Sequence, residues 1–129
     1  QGVTLTDEVD VAGLASCTEA DVRRWVHAGE IAQSLPRYLE AFDVTLRVLQ
    51  HEDALYRVAY ELAQDAAAEN VRYMEVRYAP LLHTRRGLRL TRVVEAVLRG
   101  LSDAGRDHAI KCRVILCGIR NISARSSLE

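Results

Sequence analysis

The stretch NVRYMEVRYAP, residues 70–80, decides the fold of this chain. It predicts a strand at 71–78 that ends before Pro80, because proline has no N–H group to donate to a ladder. A second strand is predicted at 111–119, with the apolar run Val114-Ile115-Leu116 at its centre, as in a strand covered on both faces. The helical pattern at 91–104 lies between the two. A strand, a helix and a strand at this spacing indicate a parallel pair.

Helices are predicted through most of 18–69, ahead of the first strand. One of them carries apolar residues every three or four positions from Leu35 to Leu49, and the next runs from about Asp53 to Glu69. Asn70 is placed to end that helix, and Thr91 is placed to cap the helix that follows the first strand. The order predicts an α/β fold, in which chemistry lies at the carboxyl ends of the strands.

The composition is that of an ordinary globular domain. The net charge is -1 and 49% of the residues are apolar, which favours neither nucleic acid nor an acidic membrane surface as a partner. The chain has no apolar run long enough to span a bilayer and no signal-peptide pattern. Its three cysteines have no short paired spacing, so a reducing, cytoplasmic location is expected. The first residue is Gln1 rather than Met, and we expect a piece of a longer protein.

The histidines do not form an obvious metal site. His27-Ala28-Gly29-Glu30 could combine a metal ligand with an acid–base group, but Gly29 is better explained as a helix stop. The four histidines are scattered, with no ligand spacing on a common face. His83 follows the first strand and is expected to be an exposed loop residue.

Charged residues on the first strand favour a structural interpretation. Glu75 and Arg77 alternate with Met74 and Val76, and an ion-pair network is expected if they face the inside of a barrel, because a buried charge needs a partner. A solvated surface is expected for the arginines that follow the strand, which are Arg85, Arg86, Arg89 and Arg92. No glycine-rich phosphate loop and no serine or cysteine nucleophile motif is present.

Several segments together resemble the adenosine deaminase family, and its bacterial branch in particular. They are SLPRYLEAFD at 34–43, YRVAYE at 56–61, VRYMEVRYAP at 71–80, Gly87-Leu88, VVEAV at 93–97 and VILCGIR at 114–120. They occur in the family's order and at its spacings, over about residues 19–122.

The resemblance implies part of a (β/α)8 TIM barrel of the metal-dependent amidohydrolase type. A typical barrel needs about 250 residues, so residues 1–129 would form a single, incomplete barrel domain. Members of the family hydrolyse the C6 amino group of adenosine to give inosine and ammonia, and a zinc-bound water is their nucleophile. The implied partner is a small purine nucleoside, and the implied cofactor of the parent enzyme is Zn²⁺.

The resemblance places no catalytic residue and no metal ligand in this segment. The family's His-x-His motif would precede residue 1, and its later histidines, glutamate and Asp-Asp pair would follow residue 129. His27 to Glu30 share four letters with a family motif but precede the entrance helix, so their roles are not carried over. The isolated segment is therefore expected to bind no zinc and to be inactive.

The substrate-pocket wall is what the resemblance does carry over. Apolar residues of the family's entrance helix gate the nucleoside site, and Leu35, Tyr38, Leu39 and Phe42 match them. Ile119 matches a position near the purine base of the bound nucleoside. The same apolar stripe could instead simply pack the helix.

Two alternatives remain at this stage. One is a deaminase of another aminopurine, such as adenine, AMP or an aminofutalosine-type nucleoside. The other is a non-catalytic helical binding module that docks through 18–69. Two near-continuous apolar strands argue against a free-standing module, because such strands call for neighbours on both sides.

Overall fold

The computed structural model describes residues 45–119, together with Thr18, Ala20, Phe42 and Asp43. The chain divides into two compact units, residues 1–48 and 49–129. In the first unit, Phe42, Asp43 and residues 45–48 are helical, and most of the helices predicted between 18 and 50 lie outside the described residues. The assignment of 1–129 to one incomplete barrel domain stays a prediction.

The second unit contains the predicted strand, helix and strand. Its elements in chain order are α1 (Glu52–Ala68), β1 (Tyr73–Tyr78), a 3-10 turn (Pro80–His83), α2 (Leu90–His108) and β2 (Lys111–Leu116). The two strands pair in parallel, from Tyr73 opposite Lys111 to Tyr78 opposite Leu116. The α/β class and the parallel pair are confirmed. Within the described part of the chain, no helix is long and apolar enough to cross a bilayer.

Both strands are shorter than the predicted 71–78 and 111–119. Val71 donates its N–H to the Ala66 carbonyl at 3.0 Å, so it still belongs to the end of α1. At the other end, the Cys117 N–H reaches the Tyr78 carbonyl at 2.9 Å. Beyond that bond, β1 has turned away at Pro80 and offers no further ladder partner.

The helix ends also differ from the predictions. Asn70 takes a left-handed conformation (φ 66°) just after α1, as expected for a helix stop. Helix α2 begins at Leu90 with Arg89 in the capping position, so the prediction that Thr91 caps it is wrong. The helix also continues to His108, past the predicted end at 104.

Gly105 lies where the chain after α2 comes back against the helix. It lies inside the helix, and a Cβ atom there would meet the Ile110 carbonyl oxygen at 2.8 Å. The glycine therefore permits the chain to fold back closely after the helix, and the left-handed stop falls on Ala109 (φ 53°).

The core lies between the two helices and one face of the sheet. Small residues bring the helices together, because a Cβ on Gly100 would clash with the Tyr56 carbonyl oxygen. The buried residues are Leu55, Ala59, Ala63, Val93, Ala96, Val97, Leu101, Ala104 and Ile110. The opposite face of the sheet is exposed, so the described residues do not cover β2 on both faces as predicted.

Candidate functional site at the carboxyl edge of the sheet

The carboxyl ends of the two strands lie side by side. Because β1 and β2 are parallel and in register, Tyr78 is opposite Leu116 at this edge. The turn that follows β1 and residues 117–119 that follow β2 extend from it. Parallel α/β proteins place their chemistry at this edge, so its side chains define the candidate site.

Arg77 and Cys117 connect the two strand ends. Arg77 Nε donates to the Cys117 sulfur at 3.0 Å. Glu75, on the same face of β1, accepts a bond from the Tyr73 hydroxyl at 2.6 Å. Among the described residues, neither Glu75 nor Arg77 belongs to an ion pair, so the predicted ion-pair network is not found there. Arg113, which lies opposite Glu75, instead donates to the Cys112 carbonyl at 3.2 Å.

His83 is buried, which contradicts the prediction that it is an exposed loop residue. Only 6% of the residue is accessible. Its Nδ1 lies 2.8 Å from the Leu49 carbonyl oxygen, and since a carbonyl only accepts, Nδ1 carries the proton and donates. The apolar run Pro80-Leu81-Leu82 directly before the histidine is the sequence signal that could have indicated burial.

Gln50 makes the complementary contact. It is 3% exposed, and its Nε2 donates to the Leu82 carbonyl at 2.9 Å. Sequence reasoning missed this residue, because nothing in the local pattern distinguishes a buried glutamine from a surface one. The two side chains thus join residues 49–50 to residues 82–83 in both directions.

The electrostatics of this cluster favour neutral side chains. Burial lowers the pKa of His83, the bond to the Leu49 carbonyl opposes this shift, and the charge of Arg85 adds to it. Burial raises the pKa of Tyr78 to about 12. The Tyr78 ring centroid lies 6.0 Å from that of His83, and its buried hydroxyl has no hydrogen-bond partner among the described residues.

The residues predicted to line the pocket are only partly described. Leu35, Tyr38 and Leu39 lie outside the described residues, as do His27 and Glu30. Phe42 is helical and 47% exposed, in the unit 1–48. Ile119 is half-buried and follows β2 at the carboxyl edge, in the unit 49–129. Their roles in a pocket wall stay predictions.

The arginine nearest to this edge on α2 has surface partners, as expected. Arg92 pairs with Glu52 at 2.8 Å and with Glu95 at 3.1 Å, and about half of its side chain is exposed. This pair joins the first turn of α1 to that of α2.

The described residues do not form a metal site. No group of three or more histidine, cysteine, aspartate or glutamate side chains in the described part of the chain could hold a metal ion. Cys112 and Cys117 are both free thiols. Cys112 packs against the core whereas Cys117 meets Arg77.

The family model that matches this chain and two of its sequence relatives are named for adenosine deaminase. The family model for adenosine deaminase matches residues 4–129. A probable adenosine deaminase of Dictyostelium discoideum is 41% identical over 116 residues, which are 90% of this chain and 15% of that protein. An adenosine deaminase of Clostridium botulinum is 39% identical over 116 residues, which are 90% of this chain and 35% of that protein.

Solved structures agree with the sequence relatives. An amidohydrolase from Burkholderia ambifaria with bound zinc has a TM-score of 0.71 and 26% identity, over 90% of this chain and 32% of that one. An adenine deaminase from Arthrobacter aurescens has a TM-score of 0.65 and 25% identity, over 75% of this chain and 28% of that one. The chain thus spans about a third or less of the length of the proteins that it matches.

Proposed function

The chain belongs to the adenosine deaminase family, and on that premise we propose that the protein containing it hydrolyses adenosine to inosine and ammonia. The observation that carries the proposal is the match over residues 4–129. The identities of 41% and 39% to proteins named as adenosine deaminases support it. The parallel strands support it further, because they place an edge suited to chemistry at residues 79–89 and 117–119.

We propose that the intact protein binds zinc through residues outside the described part of the chain. The described residues do not fit a zinc site by themselves, although the Burkholderia amidohydrolase has bound zinc. We therefore assign the metal and the catalytic groups to parts of the protein beyond the described residues. No catalytic step is assigned to a side chain of this segment.

The part that this segment would contribute is a wall of the substrate pocket. Leu35, Tyr38, Leu39, Phe42 and Ile119 are the proposed residues. Phe42 supports the proposal because a large aromatic side chain that is 47% exposed offers a face to a flat purine ring. Ile119 supports it through its place after β2, at the carboxyl edge.

Adenine is the alternative substrate that a specific observation favours. The Arthrobacter relative is an adenine deaminase and matches 75% of this chain. Adenine lacks the ribose of adenosine, so the two substrates differ in contacts that lie away from the amino group. AMP and aminofutalosine-type nucleosides have no comparable support. Family membership and the parallel strand pair argue against a purely helical binding module.

The test is steady-state ammonia release by the product of the intact reading frame. Adenosine, adenine and AMP would be compared at equal enzyme and zinc concentrations. We expect the highest kcat/KM for adenosine. A higher value for adenine would transfer the proposal to that substrate, and no release from any of the three would end the enzyme interpretation.

The pocket wall is tested by Phe42→Ala in the intact protein. Because aromatic stacking on a base contributes about 1–3 kcal/mol, we expect KM for adenosine to rise about tenfold, with the zinc content unchanged. Val48→Ala is the matched control, since Val48 is 52% exposed and belongs to the helical residues 45–48. Equal kinetics for the two variants would remove Phe42 from the pocket.

A further inference from the structure

Two hydrogen bonds cross between the residues before α1 and the turn after β1. His83 Nδ1 donates to the Leu49 carbonyl at 2.8 Å, and Gln50 Nε2 donates to the Leu82 carbonyl at 2.9 Å. Each side chain thus bonds the backbone of the residue that precedes the other side chain. We call this arrangement the crossed latch, and it consists of Leu49, Gln50, Leu82 and His83.

Burial makes the crossed latch selective for one geometry. Gln50 is 3% exposed and His83 is 6% exposed, so water cannot readily replace either partner. A buried donor or acceptor that loses its partner retains its desolvation penalty. A displacement that breaks these bonds without admitting water would therefore leave polar groups buried and unpaired, whereas a surface pair would exchange its bonds for water.

The place of the crossed latch in the chain is what relates it to function. Leu82 and His83 belong to the turn that directly follows β1, at the edge where the proposed reaction occurs. Leu49 and Gln50 directly follow the helical residues 45–48, in the segment that leads on from Phe42. The latch therefore holds residues 49–50, where the sheet-containing unit begins, to the turn at the carboxyl edge.

We infer that His83 and Gln50 are positioning residues for deamination, which they serve by holding the turn after β1 to residues 49–50. This inference rests on the proposed function. Neither residue is assigned a contact with substrate. Their effect is exerted through the backbone of Leu49 and Leu82, whose carbonyl groups they hold.

The crossed latch is also sensitive to acid. Protonation of His83 leaves the Nδ1 donor in place, but it puts a positive charge and a second N–H donor into a buried site. Burial accordingly lowers the His83 pKa from 6.5. Below about pH 6.5 the unfolded or opened chain binds a proton that the latched form does not. Latch stability is therefore present above this pH and is lost as the pH falls from it toward the lowered pKa.

Among the described residues, the charge of one side chain shifts the pKa of His83. Arg85, on the same loop, further lowers the pKa of His83. Tyr78 faces the ring from β1 and stays neutral, with a pKa of about 12. The segment before α1 contributes the Leu49 carbonyl, which opposes the shift. Helix α2 also packs against the turn, and no charged group of α2 acts on the His83 pKa.

The test compares three substitutions in the intact protein. His83→Ala removes the donor. His83→Asn keeps an N–H donor near the position of Nδ1 but cannot be protonated. His51→Gln is the matched control, because His51 is a neighbouring exposed histidine whose side chain makes no capping bond. Each protein would be assayed for kcat and KM from pH 5 to pH 8, together with its melting temperature.

A positioning role predicts a specific pattern of kinetics. We expect His83→Ala to lower kcat/KM about tenfold at neutral pH, and His83→Asn to restore it to within about threefold of wild type. We also expect the wild type to lose activity below about pH 6.5 more steeply than His83→Asn. His51→Gln should follow the wild type throughout. A lower melting temperature with unchanged kcat/KM for His83→Ala would reduce His83 to a structural residue and overturn the inference.

A measurement that is independent of activity separates this inference from the proposed function. Long-range ¹H–¹⁵N spectra of the histidine rings, assigned by comparison with His83→Asn, should show His83 as a neutral Nδ1–H tautomer at pH 6.5. An Nε2–H tautomer, or a ring that is mostly protonated at that pH, would overturn the crossed latch itself. If the intact protein shows the expected tautomer but releases no ammonia, the crossed latch is present and the proposed function is wrong. The positioning role in deamination would then be wrong as well.

Discussion

The two faces of the sheet are built for different neighbours. The face toward the helices presents half-buried side chains that pack against the core, namely Met74, Val76, Tyr78, Cys112 and Val114. The opposite face presents exposed side chains, namely Tyr73, Glu75, Arg77, Lys111, Arg113 and Ile115. Among the described residues the helices cover most of the first face, although Leu116 at its end is 53% exposed. Four of the six residues on the second face are charged.

The difference shows what this segment can and cannot do alone. The helix-facing side buries apolar surface, which stabilises the unit without further partners. On the other face, an element that packs over the charged side chains must supply hydrogen-bonding or oppositely charged groups, because an unpaired buried charge is strongly destabilising. In the longer protein that we propose, added strands would have to bring such partners. The contrast between the faces can therefore be tested by substitutions on each.

The largest effect is expected in the core behind the helix-facing side. Leu101 on α2 is 3% exposed, so Leu101→Ala should lower the free energy of unfolding by about 2–5 kcal/mol. Leu98 on the same helix is 48% exposed, and Leu98→Ala should cost less than about 1 kcal/mol. Urea unfolding of both variants measures the difference. Similar losses would mean that the core lies elsewhere.

A second substitution tests whether the open face becomes covered. Ile115 is 44% exposed in this chain, so Ile115→Lys should change the stability of the 129-residue chain by no more than about 0.5 kcal/mol. In the intact protein the same change should cost about 3 kcal/mol or more, because the lysine would be buried without a partner. Equal costs in the two proteins would show that this face stays open.

The smallest effect is expected from the hydroxyl of Tyr78. That group is buried without a hydrogen-bond partner among the described residues, so Tyr78→Phe should be neutral or should raise stability by up to about 1 kcal/mol. Thermal unfolding at constant pH is the measurement. A loss of more than about 1 kcal/mol would reveal a partner for the hydroxyl.

Much of the fold of the second unit followed from local sequence signals. Proline at 80, the apolar centre of β2 and the helical period between them predicted the parallel pair, which the structure confirms. The errors came from residues with two possible roles. The helix after β1 was predicted to end at 104, but α2 continues to His108, and Gly105 inside it permits a close approach to Ile110. Thr91 resembled a cap, yet Arg89 takes that position.

The candidate site was less predictable than the fold. The carboxyl edge followed from the strand order, but the burial of His83 and Gln50 depends on contacts across more than thirty residues of sequence. The apolar run before His83 could have indicated its burial, but no local pattern identifies Leu49 as its partner. The proposed pocket wall came from resemblance alone, and of its residues Phe42 and Ile119 lie among those described.

We propose that this chain is one part of a zinc-dependent adenosine deaminase and that the metal site lies outside the described residues. The most direct measurement is zinc content and ammonia release from adenosine, for the 129-residue chain and for the product of the intact reading frame, purified in parallel. We expect stoichiometric zinc and deamination in the intact product, and neither in the chain alone. Stoichiometric zinc with deamination in the isolated chain would contradict the proposal, and so would an intact product that binds no zinc and releases no ammonia.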